Sequence, residues 1–111
     1  MAYDEELAER VRELVAGEPG LSEKRMFGGL AFLINGHMAV SASGQGGLLL
    51  RVPPEQTDAL LREPHAERFE MRGRSMDGWL RIPPEGLAGR QELERWVGVG
   101  VGYARSLPPK G

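Results

Sequence analysis

Apolar residues in the first part of the chain recur at helical spacing. Leu7, Val11, Leu14 and Val15 fall on one stripe, Asp4 precedes them as a candidate N-cap, and Gly17 follows as a stop. Glu6 and Arg10 lie four apart on the wet side of that predicted helix. Glu18-Pro19-Gly20 then reads as a turn. From residue 29 the period changes. Asn35-Gly36 stands between two apolar runs, and a two-residue hairpin turn needs positive φ at both positions, so 29–34 and 37–42 are predicted strands. "LLLRV" (48–52) is a third strand, ended by Pro53-Pro54, which can open a helix over 55–62. "RFEMR" (68–72) and "GWLRI" (78–82) alternate apolar and charged residues and read as half-buried strands.

The last predicted helix spans 91–106. Its segment "WVGVGVGY" alternates as a strand does. Leu93, Trp96, Val97, Gly100, Ala104 and Leu107 nevertheless form one helical stripe extending beyond the glycines on both sides. That stripe turns Gly98 and Gly102 outward. The expected fold is α+β and two-layered. It has an antiparallel five-stranded sheet with helices on one face, in the order α-β-β-β-α-β-β-α. One domain covers 1–107, and 108–111 is a loose tail.

Strand phase divides the predicted sheet. Leu30, Phe32, Ile34, Met38, Val40, Leu48, Leu50, Val52, Phe69, Met71, Leu80 and Ile82 are expected to share the helix-covered face. Ala31, Leu33, Ala39, Leu49, Arg51, Arg68, Arg72, Trp79 and Arg81 are expected on the other. Tryptophan among arginines is hot-spot composition, so Arg51, Arg72, Trp79 and Arg81 form a candidate partner-binding surface. The same residues could stack nucleobases, or simply cover the sheet with arginine stems.

Composition narrows the chemistry. With no cysteine in 111 residues, disulfides, thiolate nucleophiles and zinc-thiolate sites are excluded. His37 and His65 are far apart and lack metal-ligand spacing, so no metal or other cofactor is expected. No serine sits in a Gly-x-Ser-x-Gly elbow, so no catalytic residue is assigned. The formal net charge of −2 disfavours a stand-alone DNA binder, since phosphate neutralisation supplies most of such a protein's affinity. No apolar run is long enough to span a bilayer, and the acidic start is unlike a signal peptide, so the cytoplasm is the expected compartment.

Gly28-Gly29 follows Lys24-Arg25-Met26-Phe27. A phosphate-cradling loop would need a strand before it and a helix after it, and a hairpin follows instead. The glycines therefore read as a backbone device at the entry to the first hairpin. Four segments, "KRMFGGLAFLINGHMAV", "GLLLRV", "GRSMDGW" and "YARSLPPK", keep an order that resembles the N-terminal domain of the TfoX (Sxy) regulators. The resemblance covers nearly the whole chain, read as a stand-alone N-terminal domain. Asp77 stands where similar sequences often carry arginine, and "GVGVG" replaces a more charged helix segment.

The resemblance implies an α+β domain of this element order. It also implies a role in bacterial natural competence, as a coactivator working with a cyclic-AMP-dependent regulator, and no known catalysis. The function it implies is a non-enzymatic domain that regulates transcription through a protein partner; a homodimer is compatible with that. A nucleic-acid-binding domain using the Trp79 face is the alternative, and an enzyme with Arg25, Arg74 and Arg81 as anion clamps is a third. Because the two motifs are the most distinctive in the chain, Lys24, Arg25, Met26, Phe27, Gly28 and Gly29 are expected to form one site with Arg74 and Met76.

Overall fold

The computed structural model describes residues 3–26, 28–71 and 73–108, with the backbone alone for 71 and 74–76. Asp4 caps helix α1 (Glu5–Val15) by accepting a hydrogen bond from the Leu7 N–H at 3.1 Å. Its Leu7, Ala8, Val11 and Val15 are buried. Strands β1 (Leu21–Met26), β2 (Gly29–Ile34), β3 (His37–Ala42) and β4 (Leu48–Arg51) follow. A 3-10 turn at Pro54–Gln56 leads into the single-turn helix α2 (Thr57–Leu60). Strands β5 (Glu67–Met71) and β6 (Arg74–Ile82), a second 3-10 turn at Pro84–Leu87 and helix α3 (Arg90–Ser106) complete the described chain.

The sheet is antiparallel and runs β1-β2-β3-β4-β6-β5. It therefore has six strands, not five. The additional strand, β1, was hidden because Ser22, Glu23, Lys24 and Arg25 are all exposed. An edge strand that buries neither face carries no apolar alternation for a sequence reading to find. Arg12 of α1 grips this strand: its Nε and Nη2 donate to the Glu23 carboxylate at 2.8 and 3.0 Å. That hydrogen bonding holds the Glu23 carboxyl below its ordinary carboxylate range.

The core lies between α1, α3 and the sheet face carrying Leu30, Phe32, Val40, Ala42, Leu48, Leu50, Leu80 and Ile82. α3 packs closest to β3. A Cβ on Gly100 would lie 2.5 Å from the Ala39 carbonyl oxygen and 2.8 Å from Val40 Cγ1, so only glycine lets the helix approach this closely. Gly98 and Gly102 are exposed with open space around them, as the stripe predicted.

The phases of four residues, on two strands, are corrected. The β2–β3 ladder shifts register between Phe32 and Leu33, so Phe32 faces Val40 while Leu33 faces Met38. Met38 thus leaves the helix-covered phase, and Ala39 joins Ile34 and Ala104 in a small second apolar cluster. On β5, Arg68 pairs with Leu80 and Glu67 with Arg81, which reverses the expected sides of Arg68 and Phe69. Arg68 instead ties β5 to α2 through Asp58 at 2.7 Å and to Asp77 at 3.2 Å. Phe69, expected on the helix-covered face, therefore shares the side of Trp79 at this sheet edge.

Gly28 and Gly29 are a backbone device, but of a different hairpin. Gly28 lies in the β1–β2 turn and Gly29 opens β2, so neither stands before the first strand. Gly28 has φ +77°, and the open space around it leaves its conformation as the constraint. Gly29 is limited by space: a Cβ there would overlap the Ala42 carbonyl oxygen and sit 3.2 Å from Gly44 N. Gly29→Val is expected to lower stability by about 1–3 kcal/mol through overpacking against strand backbone. A thermal melt checks this, and a midpoint equal to wild type would remove the close-approach argument.

Candidate functional site

The residues expected to form the motif site do not converge. Lys24, Arg25 and Met26 lie on β1 at one sheet edge, whereas Arg74 and Met76 lie on β6, with β2, β3 and β4 between. At the usual strand spacing that separation is roughly 19 Å. The ends differ too. Met26 pairs with Gly29, near the end of the sheet where Leu30 meets Ala42 and Leu48 meets Ile82; Met76 precedes Trp79 toward the other end. Two distinctive motifs need not be neighbours, and antiparallel order sends these two to opposite corners. Phe27 lies outside the described residues, as do the side chains of Arg74 and Met76. The same topology separates Arg25 from Arg74 and Arg81, so the three do not form an anion clamp.

The partner-binding set divides. Arg72 lies outside the described residues. Arg81 is consumed internally: Nη1 donates to Glu67 at 3.2 Å, and Nη2 donates to the Gly46 and Gln45 carbonyls at 3.0 and 3.4 Å. It braces the loop between β3 and β4, and its buried Nε has no partner among the described residues. Arg51 and Trp79 do come together, as directly opposed residues on β4 and β6. The Arg51 guanidinium carbon lies 5.6 Å from the Trp79 ring centroid and 5.6 Å from that of Tyr103 on α3. Both are cation–π distances. Phe69 extends the group, its ring centroid 6.3 Å from that of Trp79 at a tilt of 50°. All four residues are half-buried.

Local backbone chemistry places this cluster. Gly78 has φ +88°, a conformation that glycine adopts freely, immediately before Trp79. Its N–H donates to the buried Thr57 hydroxyl at 2.9 Å, and its carbonyl accepts from Val52 N–H at 2.9 Å. The Thr57 hydroxyl in turn donates to the Pro54 carbonyl at 2.8 Å. The turn that ends β4 is thus bolted to the strand carrying Trp79.

Arg51 has no carboxylate partner among the described residues, unlike Arg12, Arg68, Arg81, Arg90, Arg95 and Arg105. A guanidinium framed by rings keeps its in-plane N–H donors free for an incoming acceptor. Sequence reasoning missed Phe69 and Tyr103. The signal for Phe69 is its ring contact with Trp79, legible only once the β5–β6 pairing is known. Tyr103 lies one turn beyond Gly100, where α3 meets β3.

Among the described residues, no group of three or more His, Cys, Asp or Glu is placed to hold a metal ion. His37 Nε2 lies 2.6 Å from the Pro108 carbonyl oxygen, so the first residue of the expected loose tail touches the β2–β3 hairpin. No helix among the described residues is long and apolar enough to cross a membrane.

The architecture is that of a small α+β domain in which the sheet and α3 together present an arginine–aromatic cluster. The chain belongs to the TfoX N-terminal domain family, whose model matches residues 13–103. That span runs from within α1 to Tyr103 and includes every residue of the cluster. Neither a curated protein nor a solved structure matches the chain.

Proposed function

We propose that this domain is a non-enzymatic regulatory module that binds a protein partner through Arg51, Trp79, Phe69 and Tyr103, and that it acts in transcription regulation. The carrying observation is the Arg51 guanidinium framed by Trp79 and Tyr103, with no carboxylate partner among the described residues. Half-buried aromatics around an arginine supply apolar contact area and directional donors together, the composition from which binding hot spots are built. Family membership favours the regulatory reading. The acidic balance of the whole chain favours a protein partner over nucleic acid.

Affinity capture from cells of the source organism tests the proposal, comparing wild type with an Arg51→Ala, Trp79→Ala pair. The expected outcome is loss of at least one protein partner with the mutant, since removal of a hot-spot residue typically costs about 2 kcal/mol or more, roughly thirtyfold in affinity. Identical partner lists would contradict it. Recovery only of nuclease-sensitive material would transfer the surface to nucleic acid.

A further inference from the structure

We infer that the exposed edge of β1 is a homodimerisation strand, on which a second copy of this chain adds antiparallel to form one continuous sheet. The two sheet edges differ. At the β5 edge, the pairing with β6 shifts register between Arg68 and Glu70, and Arg68 is tied down to α2. Such irregularity is how proteins blunt an edge. β1 pairs with β2 in unbroken register from Leu21–Ile34 to Met26–Gly29, with no proline and no bulge.

The hydrogen-bond phase of that edge follows from one bond. Asn35 N–H donates to the Gly20 carbonyl at 3.0 Å, so residues 20 and 35 form a hydrogen-bonded pair. Pairs alternate along an antiparallel ladder. Ser22, Lys24 and Met26 therefore bond inward to β2. Leu21, Glu23 and Arg25 direct their N–H and C=O groups outward, where an added strand would bond.

Charge selects the register. Two identical edges pair about a twofold axis that keeps the sheet faces, so the axis must pass through a residue facing its own copy. Centred on Glu23, the pairing opposes two carboxylates; centred on Arg25, two guanidinium groups. Centred on Ser22, Glu23 faces leucine. Centred on Lys24, Glu23 of each copy faces Arg25 of the other, twice, and both residues have the outward backbone phase that this pair requires. Arg25 has no ion-pair partner among the described residues. Glu23 is kept ionised by Arg12. The same register sets Lys24 against its own copy, which keeps the association weak and concentration-dependent.

Sedimentation velocity over a concentration series tests the inference on wild type and three variants. Wild type is expected to dimerise with rising concentration. Arg25→Pro removes an outward N–H, a position where an edge strand tolerates proline, and should abolish the dimer while the melting curve shows a folded domain. Arg25→Glu sets like charges opposite Glu23 and should weaken the dimer by about tenfold, also testing the edge if the proline variant fails to fold. Lys24→Thr relieves the central repulsion and should tighten the dimer several-fold. Monomer up to about 1 mM, where specific pairing would show, overturns the inference. So does a dimer indifferent to the Arg25 substitutions, and a dimer that Lys24→Thr does not tighten overturns the register.

Discussion

Gly100→Val is expected to destabilise the domain by about 3 kcal/mol, at the upper end for overpacking of a rigid site. Gly100 faces β3 at a point where a Cβ would lie 2.5 Å from the Ala39 carbonyl oxygen. That oxygen belongs to a central strand, beside the fully buried Val40, and neither can retreat without opening the sheet. The helix must move outward instead, which loosens Leu93, Trp96 and Val97 together. In a domain of this size the melting midpoint should fall by on the order of 10–20 °C. Gly98→Ala is the internal control. It has open space around it, and replacing a glycine within a helix should raise stability by about 0.5–1 kcal/mol. Equal effects at the two positions would show that helix propensity, not close approach, governs this segment.

Thr57→Val should cost about 2 kcal/mol, the penalty for stranding a buried donor. Valine keeps the shape of threonine but removes the oxygen that accepts the Gly78 N–H and donates to the Pro54 carbonyl. Thr57 is only 1% exposed, so water has no easy route to replace it. Thr57→Ser retains the oxygen and should lose only about 0.8 kcal/mol for one buried methyl group. The effect extends to the candidate site, because Gly78 sets the backbone from which Trp79 projects. Chemical denaturation reads the stability, and the indole emission of Trp79 in a Trp96→Phe background reads its displacement. A Thr57→Val protein as stable as Thr57→Ser would show that the bond is dispensable.

Legibility of the fold followed burial. The Asn35-Gly36 turn and the strands on either side of it were readable because each lies in a strong local pattern: a turn type needing positive φ, flanked by apolar runs. The last helix was readable against its own glycines because Leu93, Trp96, Val97 and Ala104 are all buried on one stripe. β1 was not readable, since an exposed edge writes no hydrophobic period. The sides of Phe69, Arg68, Met38 and Ala39 failed for a different reason. Alternation fixes phase only within a strand, whereas the observed sides depend on register between strands and, for Met38 and Ala39, on the shift between Phe32 and Leu33.

The candidate site was half legible on the same grounds. Arg51 and Trp79 came from alternation within their own strands. Tyr103 came from α3, and the diversion of Arg81 to Glu67 and to the Gly46 carbonyl depends on a loop whose path has no sequence signature.

The central claim is that the Arg51–Trp79–Tyr103 cluster contacts a protein, and photo-crosslinking in cells tests it most directly. Tyr103→p-benzoylphenylalanine places a photoreactive ring of similar shape in the cluster, and the same substitution at the exposed Gln91 of α3 is the control. The account predicts a discrete, protease-sensitive protein adduct from position 103 and none from position 91. No adduct at 103, the same adduct from both positions, or a nuclease-sensitive adduct would contradict it.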